Sequence, residues 1–371
     1  MWKAAGILCR PRRPQSKVSI NLRPVASGLY FCLPHASSQQ RRCLESRGNS
    51  TITAVQGLEA GHYTDRTHAT GCTVIICRQG AVGGVDVRGG SPGTRETDLL
   101  RPAHRVDQVH AIVLSGGSAF GLDAASGVVR YLEGQGVGFP AGPAIVPIVS
   151  SAILFDLGLV THEVRPGSEE GWAACEAAST GPMDEGSVGA GTGATVAKAR
   201  GMTAAVKCGI GSASLHLPGG AIVAAVVAVN AYGGVYDYKT GRLMAGPRRT
   251  GQGGFEDPMD ILLEDNGSDE APPMTNTTIG LVATDAVLSK EEVNHLAGLS
   301  HDGLALTIRP CHTMRDGDTM FALSTGRGPS TSDLTALGAA SVEVTARAVL
   351  RAAETATGIG GVPSISELAH G

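Results

Sequence analysis

Charged and aromatic side chains are both scarce here, at 17% and 4% of 371 residues, against 52 glycines. A disordered chain would be rich in charge, and a collagen-like chain would place glycine at every third position. The sequence does neither. Its many small side chains point to a packed globular protein whose elements approach closely, long enough for one large domain or two modest ones. Long apolar runs are missing too. The longest covers residues 221–229, half of the roughly 18 a membrane helix needs, and its β-branched composition reads as a buried strand. The net charge of −4 gives no basic footprint for nucleic acid. None of the eight cysteines belongs to a CxxC pair or to a metal-ligand cluster with histidine. They read as reduced thiols of an intracellular protein, and no metal or cofactor is implied. One catalytic signature is also lacking: there is no GKS or GKT of a phosphate loop.

The modest net charge hides a split. Residues 1–44 hold eight of the 30 basic residues and none of the 34 acidic ones, so the rest carries 22 against 34. Arg-rich, acid-free and serine-containing, this stretch has the composition of an organelle-import segment, usually mitochondrial. Residues 1–48 are therefore expected to be a targeting or disordered leader, with a mitochondrial or cytoplasmic destination. Residues 49–371 are expected to form one domain.

Within that domain, residues 71–77 and 82–87 read as strands joined by a Gln-Gly turn, and 110–115 as a buried strand running through Gly116–Gly117 into a helix over 119–133. Further helices are predicted near 172–178, over 289–306 from a capping box at Ser289 and Glu292, and over 333–353. Strands are predicted over 221–229, 278–284 and 319–324. Residues 250–289 contain no Lys or Arg, and seven acidic residues crowd into 256–270 with Gly and Pro. That texture reads as an exposed, mobile loop. Strands and helices without strict alternation indicate an α+β arrangement.

Gly116–Gly117 and the GAGTG of 189–193 lack the full dinucleotide fingerprint. They read as close packing, or as backbone N–H groups at a helix start suited to a carboxylate or oxyanion. The junction at Asn276 and Thr277 carries more chemistry: a flexible segment, then Asn, then Thr at the head of a buried strand. A threonine released at a new N-terminus can use its own α-amino group, with a pKa of about 8, as base for its hydroxyl.

Several stretches together resemble the DmpA-type aminopeptidase family, which includes β-peptidyl aminopeptidases and the nylon-oligomer hydrolase. They are GCTV at 71–74, GVDVRGGSPGTRET at 84–97, LSGGSAFGLD at 114–123, GAGTG at 189–193, VNAYG at 229–233, NTTI at 276–279, ATD at 283–285 and DGD at 316–318. The resemblance runs from about residue 51 to the C-terminus. It implies a four-layer αββα sandwich, shared with the ornithine acetyltransferases. It also implies self-cleavage between Asn276 and Thr277 into chains of 49–276 and 277–371. By position, Thr277 matches the family's nucleophile and Asn230 an oxyanion-binding residue. Asp316 and Asp318 match a pair orienting the nucleophile and its ammonium group, in the Asp-Gly-Asp form of the nylon-hydrolase branch. Lys198 best fits a participating lysine, with Lys207 as runner-up. The implied substrates are small peptides, amides or amino-acid esters, and the implied assembly is a homo-oligomer, often a tetramer of processed protomers. An acyltransferase and a non-catalytic binding protein on the same fold are the competing readings.

Overall fold

The computed structural model describes residues 48–249, 251, 253–264, 276–329 and 333–369. The leader expected over 1–48 lies, apart from Gly48, outside the described residues, as do residues 265–275 of the acidic segment. The described part of that segment is not all loop: Pro258–Glu264 is a short helix. Its proline occupies the first helical position, where the missing N–H costs nothing.

Nine strands form one mixed sheet. They are β1 (Glu59–Asp65), β2 (Thr70–Val87), β3 (Thr94–Arg95), β4 (Gln108–Ser115), β5 (Val149–Ile153), β6 (Ile210–His216), β7 (Ile222–Asn230), β8 (Thr277–Thr284) and β9 (Thr319–Ser324), in the order β6-β7-β8-β9-β2-β4-β5-β3, with β1 also on β2. The β8–β9 and β4–β5 pairs are parallel. The two strands predicted within 71–87 are one. Gln79 and Gly80 make no hairpin. The register with β4 slips between Ile76 and Ala81, and Gly80 takes φ +77°. Such a bulge bends a strand without ending it. By bending, β2 belongs to both halves of the sheet: its first part pairs with β1 and β4, its last with β9.

The halves face each other. Ile112 and Leu114 of β4 share a core with Ala224, Val226 and Ala228 of β7 and with Ile279 and Leu281 of β8, although β4 lies three places from β8 in the sheet. Period-two alternation supplies both faces of a strand. Val223, Ala225, Val227 and Val229 of β7 point the other way, into a second core beneath two long helices. These are Lys290–Thr307, opened by the predicted Ser289–Glu292 capping box, and Leu334–Glu354, capped by Asp333. On the opposite outer face, Ala124–Gly134 and Ser168–Glu176 cover Cys72, Val74, Ile76, Ala111 and Val113. This is the expected αββα sandwich, with its two sheet layers continuous through β2. The helix predicted from 119 starts instead as a 3-10 turn, Ser118–Asp123. Small residues set the layer spacing: a Cβ on Gly211 of β6 would lie 2.2 Å from Ala348 O in the last long helix. No described helix is long and apolar enough to cross a membrane.

Candidate active site at the heads of β8 and β9

Register brings the site together. Asn230, the last residue of β7, is the partner of Thr277, the first of β8. The parallel pairing of β8 with β9 then sets the Asp-Gly-Asp turn that precedes β9 beside the same point. Asn276 bridges Asp316, and Gly317 N–H donates to Asn276 O at 3.0 Å. Thr278 N–H donates to Asp318 Oδ1 at 2.7 Å. Gly317 has to be glycine, because a Cβ there would meet Ser91 O at 2.5 Å and Thr277 Oγ1 at 2.9 Å. The Thr277 hydroxyl donates to the carbonyl oxygen of Asn276, the residue before it. Asn276, Thr277, Asp316 and Asp318 are all at most 4% exposed, so the intact chain covers its own candidate nucleophile.

Lys198 enters from the segment after the short ribbon strand Thr195–Val196, whose continuation pairs with the backbone beyond Asn230. Ala197 N–H donates to Gly233 O and Lys198 N–H to Tyr232 O. Lys198 Nζ donates to Asn230 Oδ1 at 2.7 Å and to Asn230 O at 3.3 Å. Thr195 N–H donates to the same Oδ1 at 3.0 Å, and Asn230 Nδ2 donates to Phe155 O at 2.9 Å. These contacts fix which end of the amide is the donor. Burial pushes the Lys198 ammonium down to about 7, against the pull of the Asp316 and Asp156 carboxylates. At neutral pH such a lysine can take or give a proton. Burial and the neighbouring charge of Asp318 hold the Asp316 carboxyl above its ordinary range. Asp316 accepts from Thr313 N–H and Oγ–H at 3.0 and 2.5 Å and from Tyr232 N–H at 3.3 Å.

All five residues singled out from the sequence thus meet at one place with Asn276. The runner-up Lys207 does not join them: its ammonium donates to the carbonyls of Gly191 and Cys208. Among the described residues, four cysteines are buried and poorly suited to act as thiolates. Burial pushes the Cys77 and Cys208 thiols up to about 11 and that of Cys175 to about 12. Among the described residues no group of three or more His, Cys, Asp or Glu is placed to hold a metal ion.

Three supporting groups escaped the sequence reading. Asp156 explains both glycine clusters. Its carboxylate accepts from Gly117 N–H at 2.7 Å and Thr70 Oγ1 at 2.8 Å. A Cβ on Gly116 or Gly193 would lie within 2.4 Å of Asp156 side-chain atoms. For Gly117 N–H the carboxylate is the protein's own, and at Gly193 Asp156 fills the space a side chain would need. Burial raises its pKa to about 6. The carbonyl of Phe155, beside it, is the one that holds Asn230. The third group is His312, 2.8 Å from Asp318 through Nδ1. Phe155 and Asp156 reach the site from a loop distant in the chain, and His312, six residues before Asp318, belongs to no local pattern that would mark it.

A model of peptidase family S58 matches residues 50–364 of this chain. An uncharacterized aminopeptidase of Mycobacterium leprae is 40% identical over 356 residues, covering 85% of this chain and 93% of that protein. A 6-aminohexanoate-oligomer endohydrolase of Kocuria sp. is 33% identical over 326 residues, covering 84% and 88% respectively. Among solved structures, the L-aminopeptidase D-Ala-esterase/amidase of Ochrobactrum anthropi, described as a variant of the Ntn hydrolase fold, superposes with a TM-score of 0.62. It covers 86% of this chain and 91% of its own. At 19% identity that likeness establishes the fold alone.

Proposed function

This chain belongs to peptidase family S58 and is a hydrolase with the Ntn fold, and on that premise we propose that it cleaves itself between Asn276 and Thr277 and then uses Thr277 as an N-terminal nucleophile on small peptides, amides or amino-acid esters. The observation that supports this best is the buried Thr277 hydroxyl lying against the Asn276 carbonyl, within the frame of Asn230, Lys198, Asp316 and Asp318.

In the first stage Thr277 Oγ1 bonds to the Asn276 carbonyl carbon as the C–N bond to Thr277 breaks, and the amine keeps the proton that the hydroxyl gave up. Water then hydrolyses the ester, leaving an Asn276 carboxylate and a free Thr277 amino group. In the second stage that amino group, with a pKa of about 8, takes the hydroxyl proton as Oγ1 attacks a substrate carbonyl, and it returns the proton to the leaving group. Asn230 Nδ2 is the donor for the developing oxyanion, a role worth about 3–4 kcal/mol where single donors have been removed. Lys198 holds the far end of that amide in place. The buried carboxylates anchor the strand and favour the ammonium form that appears during transfer. Water releases the acyl group. Thr277→Ala should leave a full-length chain with no hydrolytic activity. A Thr277→Ala protein that still splits would remove Thr277 from the mechanism.

A further inference from the structure

We propose that His312 is a positioning residue for this reaction: it clamps Asp318 as an ion pair, so that Asp318 holds the Thr278 N–H and with it the neighbouring nucleophile. The inference rests on the role of Thr277 proposed above.

The geometry is a chain of short contacts. Asp318 Oδ1 accepts from Thr278 N–H at 2.7 Å, while Oδ2 accepts from His312 N–H at 2.9 Å and from His312 Nδ1 at 2.8 Å. Asp318 is 1% exposed, so this carboxylate draws its compensation from protein donors alone. His312 chelates one oxygen with both backbone and ring, from a left-handed backbone at φ +56°. That conformation is uncommon for any residue but glycine, with Asn, Asp and His the usual exceptions.

The Asp318 side favours a charged ring, while Nε2 is buried with no hydrogen-bond partner. Burial works against it, but the hydrogen bond and charge of Asp318 outweigh burial, with help from Cys311, and hold the imidazolium up to about 10. From the long helix Lys290–Thr307, His301 packs edge-on at 4.7 Å. Its own ring is pushed down to about 4 by burial, and the His312 charge adds to the effect. His301 in turn touches Asp86 O through Nε2, with the Asp86 and Arg88 charges beyond. Asp316 lies two residues from Asp318, and the charge of Asp318 lifts its carboxyl. The two aspartates therefore differ in kind. Asp318 is neutralised by His312 and serves as a fixed acceptor, whereas Asp316 faces Lys198 and the backbone of Tyr232.

Two measurements test this. In the full chain, His312→Asn keeps a donor near the Nδ1 position and tolerates the left-handed backbone but removes the charge. The rate of chain splitting against pH should then show its acid limb moved up by about one pH unit or more, because Asp318 has lost its cation. A purely structural role would lower the rate equally at every pH, and that result, or a wild-type profile, overturns the proposal. The second measurement follows histidine-ring NMR in intact Thr277→Ala protein, where no activity is needed. The His312 ring should stay charged above pH 8, and Asp318→Asn should lower its titration by about two units or more. An ordinary titration near 6.5 overturns the ion pair. Failure of the wild-type chain to split would instead overturn the role of Thr277, and the NMR result would still decide the ion pair.

Discussion

Two regions nine residues apart each bury a lysine, and they differ in what the lysine holds. Lys198 and Lys207 are 5% and 0% exposed, and burial pushes both down to about 7. By burial or titration alone they would be equal candidates for the site. Lys207, however, gives its ammonium to backbone carbonyls of the glycine turn at 191 and of Cys208, inside the protein's own packing. Lys198 gives its ammonium to the side chain of Asn230, register partner of Thr277. A perturbed lysine marks a site only when it touches a group that the chemistry would use.

The comparison can be broken by exchanging each lysine for methionine, which is close in length and carries no donor. Lys198→Met should lower the rates of chain splitting and hydrolysis on the order of 100-fold or more, in the range of a lost acid–base group, with the fold kept. A rate within a few-fold of wild type would place Lys198 outside the mechanism. Lys207→Met should act on stability instead. Taking the ammonium from the Cys208 carbonyl, and from the Gly191 carbonyl that Ala194 N–H also reaches, costs about 1–3 kcal/mol each at most, offset by relief of a buried charge. Measured by urea unfolding in the Thr277→Ala background, the shift should be of that order. Activity per folded molecule in the Thr277 chain should stay within a few-fold.

A smaller effect should be common to both lysines. Each folded-state pKa of about 7 lies below the unfolded value near 10.4. Below about 7 both states are charged, and the folded one bears the burial cost. Between about 7 and 10.4 the unfolded state binds more protons, so stability rises with pH. The stability of wild type minus either variant should therefore climb across that window, on the order of 1 kcal/mol per pH unit at most. A flat difference for Lys198 alone would mean that its ammonium stays charged in the fold.

Much of this was legible in the sequence where periodicity or local chemistry carried the information. The strand Thr319–Ser324 and the Ser289 capping box are local features, and the structure reproduces them. The strand pair in 71–87 was misread because Gln79–Gly80 has turn composition. The sheet on both sides of it holds the chain straight enough to make a bulge. The helix Pro258–Glu264 was hidden by its acidic, loop-like surroundings. At the site, Thr277 came from the junction chemistry as well as the family resemblance, Asn230, Asp316 and Asp318 from the resemblance alone, and register explains why they meet. Spacing already favours Lys198 over Lys207, and the fold adds what spacing cannot give, the contact of Lys198 with Asn230. Asp156 and His312 were single residues among many of their type, meaningful only for what packs on them.

The central claim is that the chain remakes its own N-terminus at Thr277, and the mass of the purified full-length protein under denaturing conditions tests it most directly. The account predicts two species, the lighter one matching residues 277–371 with threonine at its N-terminus. A single uncut chain that persists for days, or a break at any other bond, would contradict it.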